Sequence, residues 1–433
     1  MTHFLLFAAH ASTLPVGDGL DYVRISDAIA ASSPGDVIEV HSGTYVDDTV
    51  VFPHGDLVVR GVGEGRPVLL VTEDIPNRKG IFVIPEGAET VLVEGLRFEG
   101  ARISDEDGGN GAGIRMQGAD LVVRDCHFTD NQMGILAGGT DGFTVHIEAS
   151  EFDENGRDGS GYEHNVYLGT DECARLTFVG NYSHHARTGH NLKSRCQENR
   201  ILYNRIMDES DGQSSYTIDL PEGGRNILIG NLLQQGPEVE NSSAIVSIAA
   251  EGTNDEMLLY ASHNTIVNDR ESDATAFIRA TQADRVVLRN NLFIGKGTPL
   301  SVQDDAEVDD QGSLHLLDED ALIDRAGFDY RLADGASPID GGVELAPVDG
   351  EELVAVSQYV HPLQTEPRWD DGPPDVGAYG IGEPGDTGEL ADSERPQDSV
   401  IESGCGCASG GRRAWGPMIL LPLMATRRRD PAV

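Results

Sequence analysis

Positive charge is scarce in this sequence of 433 residues, which has 31 lysines and arginines against 73 aspartates and glutamates and a formal net charge of -42. Nucleic-acid binding needs clustered cations, so the acidic excess argues against nucleic acid as a partner. It also argues against electrostatic attraction to an anionic membrane. A solvated acidic surface that keeps the protein soluble explains the excess. Binding of divalent cations is the alternative.

Cysteine is also scarce, and the five cysteines contain no two CxxC pairs of the kind that form a structural zinc site. No Asp-rich calcium loop of the usual spacing occurs either. We therefore predict no cofactor, and calcium stays open without a motif to support it. Cys173 and Cys196 lie 23 residues apart (196 − 173), about one structural repeat. A disulfide, which an exported protein permits, and two free buried thiols are both compatible with this spacing.

Long apolar runs are absent, and a short one begins the chain. Residues 4–9 (FLLFAA) precede Ala9-His10-Ala11, which has the small-x-small pattern of a signal-peptidase cleavage site. This pattern predicts a signal peptide over residues 1–11 and hence export. A buried N-terminal strand or helix is the alternative.

A second short apolar run lies near the other end. Residues 381–403 are acidic and contain Gly, Pro and Ser, which predicts a flexible linker. Residues 404–433 then contain two cysteines, an apolar run (414–425) too short to span a bilayer comfortably, and three arginines (427–429). This order of parts resembles the myxobacterial C-terminal sorting tag. The resemblance implies a sorting protease as a partner and display at the cell surface or outer membrane.

Short apolar strands recur along the middle of the chain, and five of them carry Asn near their end. The five are Asn181, Asn204, Asn231, Asn264 and Asn291. Their spacings of 23, 27, 33 and 27 residues suit one turn of a parallel β-helix per repeat. Such a column lets each side-chain amide bond the next, so that buried polar groups are satisfied without water.

A second strand recurs within each repeat. Because side chains alternate across a strand, its central residues are predicted to form one outward-facing column. The members of this column, called the outward column below, are Arg115, Leu136, Tyr167, Lys193, Asp219, Ser247 and Arg279. With strands about 4.8 Å apart the column spans roughly 30 Å, a length that suits an extended chain ligand.

Several segments together resemble one known group of proteins. They are 28–40 (AIAASSPGDVIEV), 42–45 (SGTY) and 57–61 (LVVRG) near the start, and 330–332 (YRL), 337–342 (SPIDGG) and 375–379 (DVGAY) near the end. The chain from about residue 14 to 380 resembles pectin-lyase-like proteins. The resemblance implies an all-β fold, a single-stranded right-handed parallel β-helix with an N-terminal capping helix. Such a solenoid needs no partner to close its ends, so we predict a monomer. The fold alone does not determine function.

Polar residues concentrate between positions 164 and 219. His164-Asn165-x-Tyr167 recurs 26 residues later as His190-Asn191-x-Lys193, and Asp219 falls at the next equivalent position. His184, His185 and Arg195 lie between or beside them. The alternation predicts that Asn165 and Asn191 share the face of Tyr167 and Lys193. We predict a polysaccharide-binding site formed by His164, Asn165, His184, His185, Asn191 and Asp219. An exposed ion pair and backbone-bonded corner histidines are the structural alternative.

β-Elimination of a uronate polymer would suit these residue types. It needs a cation for the carboxylate, a base for the C5 proton and an acid for the leaving oxygen. Lys193 is the predicted base, Arg195 the cation, and Tyr167 or a histidine such as His190 the acid.

The stretch 191–231 is similar to the region of chondroitinase-B-type and alginate lyases that carries their catalytic Lys in a Lys-Ser pair. This places Lys193 at the position of the base. The likeness breaks at Asp219, where the family has Arg, and at Ala186 and Thr188, where it has calcium-binding Glu. A calcium-assisted mechanism of that kind is therefore not implied.

Three functions stay open from the sequence. A polysaccharide lyase, or the related uronate epimerase, is the first. A glycoside hydrolase of polygalacturonase type needs further carboxylates near Asp219, and the sequence does not identify them. A non-catalytic surface protein that binds glycan is compatible with the acidity and the missing Arg.

Overall fold

The computed structural model describes residues 11–382, apart from 141, 240, 304, 318 and 319. The predicted sorting tag (404–433) lies outside the described residues, as does the predicted signal peptide apart from residue 11. Only residues 381 and 382 of the predicted linker are described. In the described part of the chain, no helix has the length and apolar character needed to cross a bilayer.

Three parallel sheets form the body of the protein, and each complete coil contributes one strand to each sheet. Sheet 1 has twelve strands: Thr13–Val16, Val37–His41, Leu57–Val62, Val91–Glu94, Leu121–Arg124, Thr144–Glu148, Arg175–Val179, Glu198–Leu202, Gly224–Ile229, Met257–Ser262, Arg285–Arg289 and Glu307–Gln311. Sheet 2 has ten: Val50–Val51, Gly80–Ile84, Ala112–Gln117, Met133–Gly138, Val166–Leu168, Leu192–Ser194, Ile218–Leu220, Ala244–Ile248, Ala276–Ala280 and Thr298–Val302. Sheet 3 has eleven: Thr44–Val46, Val68–Leu70, Arg97–Glu99, His127–Thr129, Glu151–Asp153, Tyr182–His184, Arg205–Met207, Leu232–Gln235, Thr265–Asn268, Leu292–Ile294 and Leu314–Leu316.

The predicted parallel β-helix and its N-terminal cap are confirmed. The helix Ile25–Ala31 buries Ile25, Ala28 and Ile29 at the start of the solenoid. A short 3-10 helix, Asp105–Asp107, lies in a loop. Two antiparallel hairpins follow the last coil, Leu322–Asp324 with Asp329–Leu332 and Ser357–Val360 with Gln364–Pro367.

Alternation along each strand produces the core. In Leu121–Arg124, for example, Leu121 and Val123 are buried while Val122 and Arg124 are half-exposed. At equivalent inward positions of successive coils, side chains of the same type stack on one another. The rings of Phe98, Phe128 and Phe152 lie face to face with centroids 4.8 and 4.9 Å apart. The ring separation matches the rung spacing, so the repeat itself sets the packing.

The predicted asparagine column is confirmed as a buried amide ladder. The side-chain amide of Asn204 donates to Oδ1 of Asn231 at 2.9 Å, and the Asn231 amide donates to Oδ1 of Asn264 at 2.9 Å. Each Oδ1 also accepts the main-chain N–H of the preceding ladder residue. The residue before each ladder Asn has a φ between 50° and 67°, as at Gly230, and this left-handed residue turns the chain between sheets.

A disulfide joins Cys173 and Cys196, whose Cα atoms are 4.5 Å apart. Both residues are fully buried. The disulfide links the coil that carries Lys193 to the preceding coil. Of the two possibilities that the spacing left open, a disulfide and two free thiols, the structure contains the disulfide. Cys126, the remaining cysteine among the described residues, is free and buried.

The C-terminal segment 343–381, called the strap below, packs on the outside of the solenoid. Leu353 and Ala355 pack against residues of sheet 1, and Tyr359, Val376 and Ala378 against residues of sheet 3. Neither apolar cluster includes a residue of sheet 2. The apolar residues of the strap therefore cover sheets 1 and 3 but not the outer face of sheet 2.

Candidate functional site

The register of the outward column is as predicted, but Leu136, Asp219 and Ser247 are buried, so the column is not open to solvent along its whole length. Strand register pairs Arg115 with Leu136, Leu136 with Tyr167, and Tyr167 with Lys193 on successive strands of sheet 2. It continues through Asp219 and Ser247 to Arg279. Tyr167, Lys193 and Asp219 thus project from three neighbouring rungs of one sheet face.

Lys193 and Asp219 form an ion pair at the centre of this column. The Lys193 ammonium lies 2.9 Å from Oδ2 of Asp219, and only 15% and 6% of the two side chains are exposed. Burial raises the pKa of Asp219, although the neighbouring ammonium acts in the opposite direction. An amine acts as a base only in its uncharged form, so Lys193 would need a proton acceptor, and the Asp219 carboxylate lies within reach of it.

A stack of rings runs beside the column. The ring centroids of His164 and His190 lie 4.8 Å apart, and those of His190 and Tyr216 lie 5.2 Å apart. Nδ1 of His164 accepts the main-chain N–H of His190 at 2.9 Å, and Nδ1 of His190 accepts that of Tyr216 at 3.0 Å. Because Nδ1 is an acceptor in both rings, the proton of each neutral imidazole is on Nε2.

The protonation state of His164 and His190 limits the roles that these side chains can have in catalysis. Burial holds the pKa of His164 and of His190 well below the ordinary value, and the charge of Lys193 acts in the same direction. Both rings are therefore neutral near pH 7. Nε2 of His190 lies 3.4 Å from Oδ2 of Asp219. A neutral imidazole N–H suits hydrogen-bond donation better than proton transfer, which leaves Tyr167 as the better candidate for the acid.

Arg195 lies on the outward face but is already engaged. Its main-chain N–H donates to Leu168 at 3.0 Å, so the ladder continues one residue beyond the strand. The guanidinium contacts Glu222, donates to both oxygens of Glu251 at 2.6 and 3.1 Å, and donates from Nε to the hydroxyl of Tyr167 at 3.1 Å. Arg195 is thus placed as predicted, but it is not a free cation.

Sequence reasoning missed Glu222, Glu251 and Tyr216. The two glutamates follow sheet 2 strands of later coils, and Glu251 is 56 residues from Arg195 in the chain. Tyr216 occupies the position equivalent to His164 and His190 one coil on, a spacing of 26 that the sequence does contain. The repeat would have identified Tyr216, whereas nothing local identifies the two glutamates.

Asn165 and Asn191 are not on the outer face. Both are fully buried and belong to a second interior amide ladder, in which the amide of Asn165 donates to Oδ1 of Asn191 at 3.1 Å. The strand begins only at Val166, and the corner before it breaks the alternation that the prediction assumed. The residues that flank the column are His164 and His190 instead.

His184 and His185 are also separated from the column. His184 ends the sheet 3 strand Tyr182–His184, and His185 occupies the corner that follows. The chain turns between sheets before it reaches Lys193 on sheet 2. These two histidines therefore form a different site, with carboxylates of their own.

Unpaired cations concentrate on the face of sheet 2. Among the lysines and arginines that the structure describes, Lys79, Arg115, Arg270 and Arg279 have no ion pair with a described carboxylate. Arg115 and Arg279 belong to the outward column, and Lys79 directly precedes a strand of the same sheet. Arg279 donates to the hydroxyl of Tyr216 at 2.5 Å. In so acidic a protein, this face is where an anionic ligand finds uncompensated positive charge.

The described residues contain no group of three or more His, Cys, Asp or Glu side chains placed to hold a metal ion. Calcium therefore has no identified ligand set in that part of the chain.

The stability of the fold is expected to fall as the pH drops below about 6.5, the pKa of histidine in an unfolded chain. His190 has a lowered pKa in the folded state, so its contribution is present above that pH and lost as the pH falls. At lower pH the unfolded chain takes up a proton that the folded chain does not. His190→Asn should reduce the slope of unfolding free energy against pH by up to about 1.4 kcal/mol per pH unit. Urea unfolding between pH 7.5 and 5.5 measures the slope, with the exposed His41→Asn as control; equal slopes in all three proteins would contradict the assignment.

Comparison with known proteins establishes the fold. No protein family and no curated protein matches the sequence. The solved structure of pectate lyase Pel9A superimposes with a TM-score of 0.56 and 13% identity, over 86% of this chain and 97% of that one. The surface adhesin PfbA of Streptococcus pneumoniae (TM-score 0.42, 13% identity, 68% and 87% covered) and the Azotobacter vinelandii mannuronan C-5 epimerase AlgE6 A-module (0.40, 14%, 68% and 94%) are more distant. The likeness to Pel9A confirms a right-handed parallel β-helix, and at this identity it shows the fold alone.

Proposed function

We propose that this protein binds an acidic polysaccharide along the outward column and cleaves it by β-elimination at Lys193. The supporting observation is the position of the unpaired cations. Arg115 and Arg279 each lie three rungs from Lys193. At about 4.8 Å per rung they stand about 14 Å to either side of it. An extended polyanion laid along the column would meet positive charge on both sides of the central pair.

Lys193 and Tyr167 supply the two proton transfers in this proposal. Arrival of the polymer displaces water from the column, which favours transfer of the Lys193 proton to buried Asp219. The uncharged amine then removes the C5 proton of the uronate. Tyr167 accepts a hydrogen bond from Arg195 through its hydroxyl oxygen, so its own hydrogen is available for the leaving oxygen.

Arg195 can serve as the carboxylate-binding cation only by exchanging a partner. Glu251 is half-exposed, whereas Glu222 is largely buried. The contacts of the Glu251 carboxylate with the guanidinium mark a position that a uronate carboxylate can take over. The exchange replaces the Glu251 carboxylate by the carboxylate of the uronate, so the net charge beside Arg195 does not change.

Hydrolysis is the second candidate, and a specific observation favours it. Burial raises the pKa of Asp219, whereas hydrogen bonds from Arg195 lower the pKa of nearby Glu251. A pair of carboxyl groups with pKa values shifted in opposite directions suits an acid and a base for glycosidic cleavage. Glu222 and Glu251 thus supply carboxylates that the sequence did not identify.

The test is to incubate the purified chain with alginate, pectate and glycosaminoglycans, and with a neutral glucan as control. β-Elimination produces unsaturated uronate with its ultraviolet absorbance, together with new reducing ends. New reducing ends without that absorbance would replace elimination with hydrolysis. Binding without either product would leave the non-catalytic reading, and no binding to any acidic polymer would overturn the proposal.

Arg115→Gln and Arg279→Gln are each expected to weaken binding of the acidic polymer, and to make it less sensitive to salt, because each removes one cation that the polymer neutralises. Arg270→Gln is the matched control, since Arg270 also lacks a carboxylate partner among the described residues but bonds main-chain oxygen away from the column. Affinity electrophoresis in gels with and without polymer measures the effect at two salt concentrations. An equal retardation of all four proteins would contradict this placement of the ligand.

Export and surface display are also proposed, and they rest on the sequence of residues 1–11 and 404–433. Fractionation of cells that express the full chain tests both. Protein that stays in the cytoplasm with both ends intact would contradict them.

A further inference from the structure

Two imidazoles face each other on the side of the solenoid that carries sheet 3. Nδ1 of His184 lies 2.6 Å from Nδ1 of His185. The left-handed backbone at His185, with a φ of 48°, turns its ring toward its neighbour. Asp130 and Glu154 have the same backbone conformation at the equivalent position of the two preceding coils, so the corner geometry is a feature of the fold. Among the described coils, that of His184 and His185 alone brings two imidazoles together at this corner.

The opposite nitrogen of each ring faces a carboxylate. Nε2 of His184 lies 3.4 Å from Oε1 of Glu151, and Nε2 of His185 lies 3.2 Å from Oδ1 of Asp211. The two histidine side chains are 13% and 21% exposed, so solvent ions can reach them. Tyr182 stacks on the His184 ring with a centroid distance of 3.9 Å and holds its orientation.

When both rings are neutral, the three contacts have one N–H group fewer than they need, so either one more proton or a metal cation is required. The three contacts need three N–H groups: one toward Glu151, one between the rings and one toward Asp211. Two neutral imidazoles carry only two. When both Nε2–H groups point to the carboxylates, two Nδ1 lone pairs face each other. A cation between them removes that repulsion.

We propose that His184 and His185 bind a transition-metal ion of the zinc, nickel or copper class through their Nδ1 atoms. Imidazole nitrogen is a preferred ligand for these ions, whereas calcium and magnesium prefer oxygen. A carboxylate on the second ring nitrogen is the usual outer-shell partner of a metal-bound histidine, and Glu151 and Asp211 occupy that position. Tetrahedral coordination with metal–nitrogen bonds of about 2.0–2.1 Å puts two ligand nitrogens about 3.4 Å apart, so the rings must separate by about 0.8 Å from their present contact.

The proposed site is open. No third His, Cys, Asp or Glu among the described residues joins the pair, so water or an external ligand completes the coordination. The site is therefore exchangeable, and its affinity is below that of a closed structural site. It lies on a different sheet from Lys193 and does not depend on the polysaccharide proposal.

Calorimetric titration of the tag-free, chelator-treated protein with Ni²⁺ tests the proposal. We expect one saturable ion per chain for the unaltered protein. His184→Asn and His185→Asn should abolish it, and Glu151→Gln, which keeps both ligands, should weaken it about 10–100-fold through the outer shell. His146→Asn is the matched control, because His146 also faces a carboxylate, Glu148, at 3.3 Å, without a second imidazole; it should bind like the unaltered protein.

Either of two results would overturn the metal site. The first is no saturable binding to the unaltered protein, which would leave a shared proton as the missing positive centre. The second is undiminished binding to both histidine variants. Circular dichroism of each variant establishes that it is folded, and the conservative Glu151→Gln variant provides the test if a histidine variant is not.

Discussion

Lys193→Met is expected to lower the rate of uronate release about 10²–10⁴-fold, the usual contribution of a positioned proton-transfer group. The variant also leaves the largely buried Asp219 carboxylate without its cation. A loss of stability is therefore expected beside the loss of activity. The initial rate of absorbance increase on the acidic polymer that the protein cleaves measures the first effect.

A second variant separates the chemical role of Lys193 from its structural role. Lys193→Met combined with Asp219→Asn removes both charges, so it should recover much of the lost stability and none of the lost rate. Lys296→Met is the control, since Lys296 is an exposed lysine paired with Glu271 at 2.6 Å. If the double variant regained activity together with stability, Lys193 would be a structural residue and not the base.

Asn231→Ala is expected to lower the free energy of unfolding by about 2–6 kcal/mol, that is about 1–3 kcal/mol for each of two orphaned donors. Those donors are the main-chain N–H and the side-chain amide of Asn204, which both bond Oδ1 of Asn231. The oxygens of Ile201 and Asn264 lose a donor as well. The interior of the solenoid holds Asn231 with no exposure, so water cannot replace the lost partners without local opening.

The urea unfolding midpoint, followed by circular dichroism, measures this effect. Asn110→Ala is the matched control, because Asn110 lies half-buried in a loop outside the ladders, and it should change stability by no more than about 0.5 kcal/mol. A change at Asn231 as small as that at Asn110 would show that the ladder does not stabilise the coils.

The outward column could be predicted from the sequence because two rules fix it. Side chains alternate within a strand, and the ladder of a parallel sheet stacks equivalent residues, so Tyr167, Lys193 and Asp219 had to share a face once the repeat was known. The same reasoning located the Asn181 to Asn291 ladder. The column depends on regular strands, and the ladder depends on a corner that recurs with the same conformation in successive coils; both were confirmed in register.

The alternation rule fails where it is extended beyond the end of a strand. Asn165 and Asn191 lie at the bend that precedes their strands, and their side chains point into the core instead. The engagement of Arg195 by Glu222 and Glu251 depends on loops of later coils, and loop conformation has no periodicity to extrapolate. The position of the Arg195 guanidinium could therefore be predicted from the sequence, but its ion pairs with Glu222 and Glu251 could not.

The strap gives this solenoid a property that stacked coils alone do not have. In a simple solenoid each coil contacts only its neighbours, so melting can start at an end and advance one coil at a time. Here Glu351 holds Arg200 and Arg225 of two coils, and Asp349 holds Arg285 further along. A single segment that is bound to several coils makes the opening of those coils cooperative. The C-terminal coils should therefore unfold cooperatively. The earlier coils, which the strap does not contact, can unfold locally one at a time.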